Sequence, residues 1–430
     1  MNTRFINARI LSMDGNCDIL LGELAVCDGV ITYIGEERNQ KQLEDEGITY
    51  DRVIDAKGNV LLPGFKNAHT HSAMTGLRSY ADDLPLQEWL ETKIFPTEAK
   101  LNGDMVYEFV RLAILEYLSS GITAAFDMYM YPDYTAKAFQ DMGMRLVQVD
   151  DINKFGPAYE EFDSRYERLN NKHPLTKYVI GFHAEYTCTQ EVLEHVCAQA
   201  HKYKSPVYAH ISETEREVKE CVDRYGITPV QLMDKIGMFE YGGGGYHCVY
   251  FTDEDIEIFK NKGLHVISNP GSNTKLASGI APIARYLDEG INVALGTDGP
   301  SSNNCLDMFR EMFLVTGLSK LREMDAASVP AEEVLKMATC NGARAMCLDD
   351  CDVLAVGKKA DIIMIDLNMP NMQPIHNIVA NIVYSGSKIN VKMTMIDGKI
   401  LYEDGQYHVG VDPEEIYKKA NELVDELVNR

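Results

Sequence analysis

Between about residue 58 and residue 350 the sequence repeats one alternation, a short apolar run followed by an amphipathic stretch at helical spacing. Eight such runs end near His69, Asp127, Val149, His183, His210, His247, Ser268 and Asp298. The first is read as starting at Val60. The stretches between them read as helices: Met105, Val106, Phe109, Val110, Ala113, Ile114, Tyr117 and Leu118 form one stripe that stops at Gly121. Units of this kind bury their strands in a parallel sheet beneath the helices, so eight of them suggest a closed (β/α)8 barrel, an α/β fold of the TIM type, over residues 58–351. In such a barrel the chemistry sits at the C-terminal ends of the strands.

The two ends of the chain follow a different pattern. Residues 23–27 run through Asp28-Gly29 into residues 30–34, and residues 392–396 through Asp397-Gly398 into residues 399–402. Each is a hairpin signal, because Asp-Gly supplies the positive φ angles of a tight turn. With residues 361–366 as a further strand, 1–57 and 352–412 are expected to form one small β-sandwich domain built from both termini. Residues 413–430 read as a terminal helix with Ile416, Ala420, Leu423 and Leu427 at helical spacing.

A net charge of −24 repels phosphate backbones and anionic lipid heads, and no basic patch offsets it. Nucleic acid and membranes are therefore not expected partners. Without an apolar run of about 18 residues or a signal-peptide core, the protein is expected to be cytoplasmic. A share of 45% hydrophobic and 25% charged residues excludes a disordered or collagen-like chain. The ten cysteines form no Cys-x-x-Cys pair and read as reduced, mostly buried, small hydrophobes.

The histidines sort by strand end. His69 and His71 close the first run as His-Thr-His, and a spacing of two along a strand puts both imidazoles on one face, able to reach one metal ion. His183, His210 and His247 close the fourth, fifth and sixth runs, and Asp298, in Gly-Thr-Asp-Gly, closes the eighth. Imidazoles with one carboxylate suit zinc, iron or a similar divalent ion that leaves a position for water. His173, His195, His201, His265, His376 and His408 have plainer structural readings. Cys248, beside His247, alternates away from it into the wall. Glu213, three residues past His210, is placed to turn back over the site as an acid–base group. The alternative is helix-start acidity, since Ser212, Glu215 and Glu217 have the make-up of a helix N-terminus. On position alone Glu98 reads as a surface carboxylate, and Trp89, the single tryptophan, as packing.

The run Pro63-Gly64-Phe65 to Asn67-Ala68-His69-Thr70-His71, then His210, His247, Ser268-Asn269-Pro270-Gly271-Ser272-Asn273 and Gly296-Thr297-Asp298-Gly299, resembles the amidohydrolase superfamily. The likeness covers nearly the whole chain, and within the superfamily the sequence resembles the methylthioadenosine / S-adenosylhomocysteine deaminases. The resemblance implies a metal-dependent hydrolytic deaminase that converts a 5′-substituted adenosine to the inosine analogue and ammonia. It implies His69, His71, His210 and Asp298 as ligands of one divalent ion, zinc or else iron or nickel, with water as the remaining ligand. Asp298 would also take the water's proton, His247 would orient the hydroxide attacking purine C6, and Glu213 would protonate the ring nitrogen. His183 matches a purine contact, Glu98 the carboxylate that binds the ribose hydroxyls, and Trp89 the aromatic lining the same pocket. The implied partner is a small-molecule nucleoside, and a homo-oligomer is compatible with the sequence. No lysine ends the fourth run, which disfavours a carbamate-bridged metal pair.

One departure bears on the substrate. Relatives that accept S-adenosylhomocysteine hold its amino-acid end with arginines after the third strand, where this chain has Asp150-Asp151 and Lys154, with Arg165 further on. Two carboxylates there point to a neutral or cationic 5′ group, such as that of methylthioadenosine, 5′-deoxyadenosine or adenosine. The rival readings are a guanine, cytosine or triazine aminohydrolase on the same scaffold, and a catalytically dead barrel kept as a structural protein. The filled ligand positions oppose the second.

Overall fold

The apolar runs become the eight strands of one parallel sheet: Phe65–Thr70, Ile122–Met128, Arg145–Val149, Thr176–Ala184, Val207–Ile211, Gly243–His247, His265–Ser268 and Asn292–Leu295. They are seen in a computed structural model that describes residues 2–15, 17–154, 156 and 158–429. Each strand pairs in parallel with the next in sequence. At the seam the Asp298 N–H donates to the His69 carbonyl at 2.9 Å, and the Asn67 side chain both accepts from the Thr297 N–H and donates to its hydroxyl. The last strand is thereby fastened to the first at the level of two predicted metal ligands.

The first apolar run divides where a single strand was expected. Val60–Pro63 pairs antiparallel with Ile362–Ile365 in the other sheet, and only Phe65–Thr70 enters the barrel. The handover is at Gly64, whose N–H donates to the Asp361 carbonyl while the next N–H, of Phe65, donates to Gly121. A Cβ at Gly64 would meet the Thr123 side chain at 2.0 Å, so the two sheets approach this closely only with glycine between them.

Strands from both termini make a single nine-stranded sheet with a hydrophobic core of its own, drawn from residues as distant as Phe5, Leu24, Ile362 and Met395. Its two predicted hairpin turns form and touch. Gly29, at φ +81°, sits so near the other turn that a Cβ there would lie 2.9 Å from the Asp397 carbonyl oxygen. The sheet is pinned to the barrel by a buried ion pair, Arg145 to Asp361 at 2.7 Å, and by Thr394 donating to the Leu118 carbonyl. The terminal helix, Pro413–Asn429, buries Ile416, Ala420, Leu423 and Leu427 as its spacing predicts. All ten cysteines are free. Among the described residues no helix is long and apolar enough to cross a membrane.

Candidate active site

Strand ends that carry the site leave the sheet on strained backbone. Ser212, His247, Cys248 and Asp298 adopt φ of 52°, 68°, 48° and 59°, a region that costs a non-glycine residue on the order of 1–3 kcal/mol. Surrounding hydrogen bonds hold them there. The Ser212 carbonyl accepts from the N–H groups of Val249 and Tyr250, which ties the end of the fifth strand to the end of the sixth.

The buried side chains at this mouth converge. His69 Nε2 and His71 Nε2 stand 3.4 and 3.2 Å from Asp298 Oδ1. His69, His210, His247 and Asp298 bring ligand atoms within 4.8 Å of one another. Outward-facing nitrogens are occupied: His71 Nδ1 donates to the Met128 carbonyl, His210 Nδ1 to the His183 carbonyl at 2.6 Å, and His247 Nδ1 to Asn273 Oδ1 at 2.7 Å. A proton fixed on Nδ1 leaves the Nε2 lone pair facing inward, which is how outer partners orient metal-binding histidines. Asp298 Oδ2 accepts from Ser272 and Ser302, and Oδ1 from the Gly299 N–H. His69 differs: it is fully buried, stacked on Tyr246 at 3.7 Å, and neither ring nitrogen makes a hydrogen bond. Leaving such a group unsatisfied costs about 1–3 kcal/mol, and a divalent ion at the centre of this cluster would satisfy it. The donors fit such an ion by type as well as by aim.

Charge follows the same logic. Burial pushes the His69 imidazole down to about 3 and His183 down to about 4, and it holds His210 well below its usual range. These rings are neutral at pH 7, the form that binds metal. Asp298 goes the other way; burial alone would raise it, but the His69 and His71 rings beside it, and the charge on His71, hold it well below the carboxylate range. Burial also opposes the charge on His71, yet contact with Asp298 carries that ring up to about 9, so its Nε2 lone pair becomes available to an ion only as the ion displaces the proton there.

The cluster floors a cavity of about 850 Å³, ample for a nucleoside. Every predicted site residue except the deeper His69 lines it: His71, His183, His210, Glu213, His247 and Asp298 from strand ends, Trp89 and Glu98 from the covering segment 86–98. Glu98 is therefore no surface carboxylate. It is 8% exposed, accepts from the Tyr129 hydroxyl at 2.6 Å, and is pushed above its ordinary range by burial. Trp89 is 4% exposed and belongs to both the core and the cavity wall. Glu213 accepts from the Ser278 hydroxyl at 2.9 Å and lies 3.9 Å from His247 Nε2. It stands just before a helix start: the helix runs Glu215–Tyr225 with Thr214, not Ser212, as its cap, and the helix-start acidity belongs to Glu215 and Glu217 in its first turn. Cys248 is buried and outside the cluster.

The expectation for Asp150-Asp151 needs correction. Asp150 is buried and paired with Arg165 at 2.9 Å, so only Asp151 lines the cavity. Sequence reasoning also missed the partners that aim the site: Tyr129 on Glu98, Asn273 on His247, Ser278 on Glu213, and Ser272 with Ser302 on Asp298. Ser272 and Asn273 lie in a quoted motif, but nothing in the sequence says which side chain each one holds.

An eight-stranded barrel with a histidine–aspartate cluster at its C-terminal mouth is the framework of a metal-dependent hydrolase. The chain belongs to the amidohydrolase family, whose sequence profile matches residues 60–401. It is 40% identical to a 5′-deoxyadenosine deaminase of Methanosarcina acetivorans over 99% of this chain and 98% of that protein. It is 42% identical to a 5-methylthioadenosine/S-adenosylhomocysteine deaminase of Dictyoglomus thermophilum over 88% and 90%. Among solved structures, an adenosine deaminase from Xanthomonas campestris with bound zinc superposes with a TM-score of 0.92 at 30% identity, covering 100% of this chain and 99% of that one. The zinc complex of an atrazine chlorohydrolase from Arthrobacter aurescens shares the fold, with a TM-score of 0.89 at 22% identity over 98% and 100%.

Proposed function

We propose that the protein is a hydrolytic deaminase of 5′-substituted adenosines, acting in the cytoplasm on a small-molecule nucleoside. Water replaces the purine 6-amino group, giving the inosine analogue and one ammonia. The observation that carries this reading is a cavity with two chemically distinct ends. At the floor lies the histidine–aspartate cluster; on the wall lies Glu98, a buried carboxylate whose one hydrogen-bond donor among the described residues is Tyr129. Its remaining acceptor capacity suits the vicinal hydroxyls of a ribose, and a free base would leave it unmatched. The names of the deaminase relatives support the same substrate class.

His69, His71, His210 and Asp298 would hold one divalent ion, zinc in our reading, and that ion supplies Lewis-acid activation of the attacking water. The chain's own side chains manage the protons. Asp298, ionised and held by two serines, takes the proton that water gives up as its oxygen bonds to C6. His247, fixed by Asn273, turns Nε2 toward the same point and orients the nucleophile. Glu213 passes its proton to the ring nitrogen, so the ring accepts the electron pair displaced from C6. On collapse Asp298 returns its proton to the amine and ammonia leaves, while the C6 hydroxyl gives up its remaining proton to become the carbonyl, which makes good the proton that Glu213 donated. His183, neutral and bonded through Nδ1 to Thr187, contacts the purine with its other edge.

Glu98→Ala tests the ribose assignment. Losing two hydrogen bonds to a carboxylate, each worth roughly 1.5–3 kcal/mol, should lower kcat/KM for nucleosides by about 100-fold or more while leaving any turnover of free bases unchanged. Nucleoside kcat/KM within about threefold of the unmodified enzyme would contradict the assignment. The 5′ end is read from Asp151: Arg165 lines the cavity too, but its charge is taken up by Asp150 and Glu161, so the wall there favours an uncharged tail. Methylthioadenosine should accordingly be turned over with a higher kcat/KM than S-adenosylhomocysteine, and equal or reversed values would contradict this.

A further inference from the structure

Glu217 has an arrangement that helix capping does not explain. It stands three residues after Thr214, the cap of helix Glu215–Tyr225, and the Thr214 hydroxyl accepts from its N–H at 3.2 Å. In the usual capping box a glutamate at this position folds back onto the amide of the capping residue itself. Here the carboxylate reaches further upstream. Its Oε1 accepts from the Ser212 N–H at 2.7 Å and its Oε2 from the Glu213 N–H at 2.8 Å. Glu217 is 2% exposed, so the clamp is made with an acidic group withdrawn from water beside a second acid, Glu213. Burying such a group is costly unless its bonds serve the structure.

What the clamp holds is the turn that carries Glu213. Ser212 is left-handed, its carbonyl is taken by Val249 and Tyr250, and its amide is taken by Glu217. Both peptide groups leading into Glu213 are thereby fixed, and the Glu213 carboxylate is delivered between Ser278 and His247. We infer that Glu217 is a positioning residue for deamination, acting through the backbone of residues 212 and 213 to aim Glu213 at the purine ring. The inference rests on the proposed role of Glu213 as proton donor. A displacement of about 1 Å at a reacting group costs on the order of 100-fold in rate, which sets the expected size of the effect.

The test is a double-mutant cycle on the metal-loaded full-length enzyme with 5′-deoxyadenosine, using Glu217→Gln, Glu213→Gln and the pair. A glutamine keeps the shape, but its nitrogen cannot accept from an amide N–H, so one half of the clamp is lost. Glu217→Gln should lower kcat by about 30- to 100-fold with KM and bound metal little changed. Adding it to Glu213→Gln should cost no more than about threefold further, because its whole effect passes through Glu213. Hydrogen–deuterium exchange should quicken in the peptide spanning residues 212 and 213. A Glu217→Gln kcat within twofold of the unmodified enzyme, or multiplicative losses in the double mutant, would overturn the proposal. Glu217→Asp, one methylene shorter, takes its place in the cycle if the glutamine variant does not fold. If both lose metal and cooperative unfolding, Glu217 is a stability element and the proposal fails. Unchanged activity in Glu213→Gln would instead remove the reading beneath it.

Discussion

Asp298→Asn should abolish turnover, lowering kcat by roughly 10⁴-fold or more, and should weaken metal binding in the same protein. The size follows from two losses at one atom. Oδ1 is the oxygen facing His69 and His71, so the substitution removes the anionic donor from the cluster. It also removes the base that takes a proton from water and returns it to ammonia, and acid–base roles of this kind are worth about 10²–10⁴ on their own. The fold should survive, because the amide oxygen can still accept from Ser272 and Ser302. Ammonia release at saturating substrate, beside the metal content of the same sample, measures both effects. A variant that keeps a tenth of the activity, or that is inactive only through unfolding, would contradict the assignment.

Glu213→Gln should lower kcat by about 10²–10⁴-fold while leaving the metal content unchanged. Glutamine can still accept from Ser278, so the loop has no reason to move. It has no proton of the required acidity to give to the purine ring. The comparison with Asp298→Asn separates the two roles: both variants are slow, but only one is short of metal. Loss of metal in Glu213→Gln would place this residue in the cluster rather than above it.

How much of this was legible in the sequence follows from the periodicity of each element. The convergence of His69, His71, His183, His210, His247 and Asp298 on one mouth was readable because strands alternate with period two and barrel chemistry gathers at strand ends, whereas the choice of ligands among them came from the family resemblance. The same period explains the misreading of Asp150-Asp151, since neighbours at a strand end face opposite ways, one to Arg165 and one to the cavity. Glu98 and Trp89 were visible only through family resemblance. Nine positions apart, they would fall on opposite faces of a regular helix at about 100° per residue. The segment that carries them is not regular: a π-turn at Leu90–Ile94 joins Leu86–Trp89 to Phe95–Glu98 and unwinds the helix, so both side chains reach the cavity. Tyr129, Asn273 and Glu217 were out of reach for another reason, because each acts on a residue that the chain brings beside it only after folding.

The most direct test of the proposed reaction is ammonia release from the purified enzyme over adenosine, 5′-deoxyadenosine, methylthioadenosine, S-adenosylhomocysteine, adenine, guanine and cytosine, with the organic product identified by mass. The expected result is equimolar ammonia and inosine analogue from the 5′-substituted adenosines, and none from the free bases. Ammonia from guanine or cytosine with none from any nucleoside would contradict it.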